Sequence, residues 1–65
     1  MTMNEMLARY NELAFGKMTQ MDEECRNLME GRMMECYYLI DAFYPCHPPR
    51  EMIIYKGREI YGYPV

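Results

Sequence analysis

At 65 residues, with a formal net charge of −3, the chain has room for one small domain and carries the wrong sign for a protein whose affinity rests on phosphate contacts. No serine is present, which excludes a Ser-His-Asp site, and His47 is the only histidine, so any Cys-His pair must use it. Three cysteines make an odd count, the opening residues lack the basic flank and apolar stretch of a signal peptide, and the apolar runs at residues 36–40 and 42–46 are far short of the ~20 residues that span a bilayer, so a cytoplasmic protein with reduced thiols, without disulfides or membrane segment, is expected.

The first predicted element opens on Thr2-Met3-Asn4-Glu5, a capping box in which the Thr2 hydroxyl accepts from the Glu5 amide and the Glu5 carboxylate reaches back. Met3, Met6, Leu7, Tyr10, Leu13 and Ala14 then recur at three- and four-residue steps, giving a helix over about residues 3–15 with Gly16 as the residue past its C-cap. A second start signal at Thr19-Gln20-Met21-Asp22, with Asp22, Glu23 and Glu24 at the positive end of the helix dipole, predicts a helix over about residues 19–44 that ends before Pro45. Gly31 lies inside that pattern and leaves open a break near residue 31. The short loop sets the two helices antiparallel.

Pro45-Cys46-His47-Pro48-Pro49 admits no helix, and beyond it the pattern changes to extended. Met52-Ile53-Ile54-Tyr55 and Arg58-Glu59-Ile60-Tyr61 flank Lys56-Gly57, which predicts a β-hairpin over about residues 51–63 with a two-residue turn. In that register Ile53, Tyr55 and Ile60 share one face, and Met52, Ile54, Tyr61 and Tyr63 the other. The predicted fold is a single α+β domain: an antiparallel helical hairpin, short helix then long helix, followed by a C-terminal two-stranded β-hairpin.

Nine Met and seven Tyr, with no Trp, are the strongest compositional signal. Met adapts to irregular surfaces, and Tyr offers a large rigid apolar body with a polar tip. A 26-residue second helix is about 39 Å long and a 13-residue first helix about 20 Å, so the first is expected to cover residues 19–30 and the hairpin residues 31–44. That second half is apolar nearly all round, and one hairpin face cannot cover it. A second copy of the chain or another protein is then required, with Tyr37, Tyr38, Tyr44, Met52, Ile54, Tyr61 and Tyr63 as the expected partner-binding residues. The expected function is stoichiometric binding to a protein partner, as inhibitor or adaptor, by a chain that also forms a homodimer. In size and composition it is similar to the small inhibitors and adaptors that phages and mobile elements encode, an analogy of style with no motif behind it.

The competing reading is a small regulatory module that holds zinc through Cys36, Cys46 and His47, or nucleic acid through the basic hairpin with Arg50, Lys56 and Arg58. Cys36, Cys46 and His47 lack the short CxxC-type spacing of structural zinc sites, and Cys25 lies about 16 Å from Cys36 along a continuous helix. Catalysis is not expected: the carboxylates Asp22, Glu23, Glu24, Glu30 and Glu35 alternate with Arg26 and Arg32 as a solvated helix face does, adjacent Cys46 and His47 point apart, and Gly57 opens no phosphate loop. No cofactor is implied.

Overall fold

A computed structural model describes residues 1–65 as two helices, α1 (Met3–Thr19) and α2 (Glu23–Phe43), followed by an antiparallel hairpin of β1 (Glu51–Tyr55) and β2 (Arg58–Gly62). The accessible surface is 4506 Å², the size expected of a folded chain this short. No helix is long and apolar enough to cross a membrane.

The capping box forms as the sequence requires: Glu5 N–H donates to the Thr2 hydroxyl, and Thr2 N–H to the Glu5 carboxylate. The helix then runs through Gly16, which is a correction to its expected end. Gly16 faces α2, where an added Cβ would stand 3.1 Å from the Met29 sulfur, so the glycine serves close helix approach and not chain reversal. The loop therefore shifts to residues 20–22. Gln20 ends α1 in an extended conformation, and its side-chain oxygen accepts from the amides of Met21 and Asp22. Thr19, expected to cap the second helix, donates its hydroxyl back to Phe15 and Gly16 O within α1. Asp22 caps α2, accepting from Glu24 N–H at 2.9 Å and Cys25 N–H at 3.4 Å. The second helix passes Gly31 without a break.

These shifts overturn the expected division of α2 between its neighbours. With 17 and 21 residues the helices are about 25 and 31 Å long, and α1 lies along nearly all of α2. Near the loop Lys17 pairs with Glu30; midway the Cys36 thiol donates to Met6 O at 3.6 Å; at the far end the Tyr44 hydroxyl donates to Met1 O at 2.6 Å. The hairpin therefore packs on α1 and not on residues 31–44.

The hairpin register is the predicted one, Met52 opposite Tyr61, Ile53 opposite Ile60 and Tyr55 opposite Arg58. Lys56 and Gly57 take φ of 50° and 79°, the two positive values that a two-residue turn of matching twist requires. On the inner face Ile60 is buried, while Ile53 and Tyr55 are half-buried. Tyr55 meets the Phe15 ring edge-to-face at 5.7 Å and donates its hydroxyl to Glu12, which also accepts from Lys56 at 2.9 Å. The core joins Leu7 and Tyr10 of α1, Cys36 and Ile40 of α2, and Tyr63 from beyond β2.

Candidate partner-binding surface

The seven residues expected at a partner surface separate into three groups. Met52, Ile54 and Tyr61 lie on the outer face of the hairpin, 61, 69 and 54% exposed. Tyr37 and Tyr44 are half-buried, and Tyr38 is exposed. Tyr63, by contrast, is fully buried and belongs to the core, which corrects its place on the outer face. Strand alternation ends at Gly62, and the next residue is turned inward by Asn11. The Asn11 amide donates to Tyr63 O at 2.7 Å and its oxygen accepts from Tyr63 N–H at 2.8 Å, so one buried side chain satisfies both backbone groups. The Tyr63 ring then meets Tyr10 edge-to-face at 5.0 Å.

Arg50, one residue before β1, joins the outer-face residues to α2. Its guanidinium lies 4.3 Å from the Tyr37 ring centre and 5.1 Å from that of Tyr61, and it donates to the Tyr10 hydroxyl at 2.9 Å. Tyr37 in turn meets Tyr38 edge-to-face at 5.6 Å. Tyr38, Tyr37, Arg50, Tyr61, Met52 and Ile54 thus form one band from α2 across the hairpin. Burial works against the Arg50 charge, but the Tyr10 hydrogen bond and attraction to the surrounding tyrosines outweigh it and hold the guanidinium above its ordinary range.

His47 lies beside this band, its ring edge-to-face with Tyr63 at 5.4 Å. Nδ1 faces Pro48 O at 2.7 Å and Nε2 faces the Asp41 carboxylate at 2.6 Å. Two acceptors call for two ring protons, so the arrangement favours the imidazolium. The Pro48 carbonyl chiefly raises its pKa above the ordinary 6.5, burial opposes, and Asp41 adds to the rise. A raised folded-state value means that the stability His47 contributes is fully present below its unfolded pKa and is lost as pH rises through the folded one. NMR titration of this single imidazole is expected to show a midpoint above 6.5, with stability declining across it; a midpoint at or below 6.5 contradicts both contacts.

The residues of the competing reading are not brought together. Cys36 is buried against Met6, Cys46 is exposed, and no three metal-ligating side chains converge. Lys56 is engaged by Glu12, and Arg58 stands with it at the turn, the opposite end of the hairpin from Arg50. Leu28, Leu39 and Phe43 of α2 are also exposed.

Sequence reading missed Asn11, Asp41 and the aromatic setting of Arg50. Asn11 carried a signal: it sits four residues after Leu7 and three before Ala14, a polar residue on an apolar stripe. Comparison with protein-family models, with curated proteins and with solved structures finds no match.

Proposed function

We propose that this chain is a protein-interaction module that acts by stoichiometric occupation of a partner's surface, as a cytoplasmic inhibitor or adaptor of the kind phages and mobile elements encode. The observation that carries the reading is the outer hairpin face, where Met52, Ile54 and Tyr61 remain exposed while the inner face already lies on α1. A monomer does not need apolar residues on both faces of its only hairpin. The adjoining Tyr37, Tyr38 and Arg50 add residue types that dominate interface energies. The exposed Leu28, Leu39 and Phe43 favour, in addition, a second copy of the chain across α2.

Paired substitution Met52→Ser and Tyr61→Ser tests the reading. The midpoint of unfolding is expected to move by only a few degrees, because little buried area is lost, whereas retention of the partner in affinity pull-downs from the native host falls at least ~10-fold. Equal recovery of the same proteins by the wild type and the double variant counts against this face. Light scattering at low micromolar concentration tests self-association: a mass near 7.9 kDa contradicts the dimer.

A further inference from the structure

We propose that the cavity between α2 and the start of the hairpin binds an oxyanion, a carboxylate or a phosphate group, on the Arg50 guanidinium and the Tyr63 hydroxyl. The cavity shares Tyr37, Arg50 and Tyr61 with the band proposed for partner binding, and the inference rests on the free donors of Arg50 and Tyr63, not on that reading. The cavity holds about 280 Å³ and is lined by Tyr37, His47, Pro49, Arg50, Tyr61 and Tyr63.

Three independent features point to a negatively charged occupant. Arg50 is the one arginine that is not exposed, yet no carboxylate pairs with it although the chain carries ten. Of its five N–H donors only one is engaged, by Tyr10. Tyr37 and Tyr61 hold the guanidinium by their rings, which leaves the hydrogen-bonding edge for a planar or tetrahedral oxyanion.

The second feature is the Tyr63 hydroxyl, buried with no hydrogen-bond partner. Buried hydroxyls are rarely left unpaired, and Tyr63 is among the residues that line this cavity. Burial pushes this phenol up to about 12, so it remains a donor. The third is His47, whose Nε2 faces the Asp41 carboxylate at 2.6 Å and, when protonated, offsets the one nearby negative charge that opposes an anion.

The test uses the sole histidine as reporter. Imidazole and Arg50 Nε resonances are followed while sodium phosphate or sodium acetate replaces sodium chloride at constant ionic strength. Saturable shifts with phosphate alone assign a phosphate, with acetate alone a carboxylate, and with both an oxyanion site that does not discriminate; each supports the proposal. Arg50→Lys removes the planar fork and is expected to weaken binding at least ~10-fold. Should that variant fail to fold, Tyr63→Phe decides: relief of the orphan hydroxyl is expected to raise the melting temperature by roughly 4–8 °C while weakening anion binding several-fold. Shifts no larger than in chloride, or saturable shifts that Tyr63→Phe leaves unchanged, overturn the site.

Discussion

Replacing Asn11 by alanine is expected to unfold a large fraction of the protein at room temperature. The Asn11 side chain is the sole partner of both backbone groups of Tyr63, and it is itself buried. Its loss leaves a buried N–H and a buried C=O unpaired, at about 1–3 kcal/mol each. A core this small rarely supplies more than about 3–5 kcal/mol of net stability, so one substitution removes most of it. Asn11→Asp should not rescue, because a carboxylate oxygen then faces the Tyr63 carbonyl. Gly62→Ala acts on the same contact from the other side: its Cβ would collide with the Asn11 oxygen. Circular dichroism against temperature checks all three, and a fall of under ~4 °C for Asn11→Ala, less than about 1 kcal/mol, shows that water takes the place of the amide.

The second large effect is expected at Ile40, which is fully buried between α1 and the Tyr63 segment. Truncation to alanine removes buried methyl groups and opens a cavity, at about 2–5 kcal/mol, whereas Ile40→Val should cost about 0.5–1.5 kcal/mol. Phe43, on the same helix but outside the core, provides the contrast: Phe43→Ala is expected within about 0.5 kcal/mol of wild type. Urea unfolding of the three variants measures the order directly. A Phe43 loss equal to that of Ile40 contradicts the assignment of the α2 faces.

Where structure is set by neighbours in sequence, it was legible. The capping box, the two-residue turn at Lys56-Gly57 and the strand register all depend on residues within a few positions of one another, and each formed as read. The position of the helical loop was harder, because Thr19 and Asp22 are both good caps and Gly16 is a good terminator. What decided it was long-range: Gly16 is needed against Met29, so α1 continues and Asp22 takes the cap. That shift of a few residues undid the length argument that placed the hairpin on α2.

The outer hairpin face was legible for the same local reason, strand alternation, at Met52, Ile54 and Tyr61. Alternation failed at Tyr63 because the contact that turns it inward comes from a residue 52 positions earlier. Arg50 was legible as a charge but not as the centre of a tyrosine cluster, since Tyr10, Tyr37 and Tyr61 come from three different elements.

Hydroxyl-radical footprinting of the purified chain and of the same chain in extract of its native host tests the proposed contact surface most directly. Met21, 91% exposed in the loop between the helices, serves as the internal reference. Docking on the outer hairpin face predicts that Met52 and Tyr61 are oxidised readily in the purified protein and protected in the extract, while Met21 reacts equally in both. Oxidation of Met52 and Tyr61 that keeps pace with Met21 in both settings contradicts it.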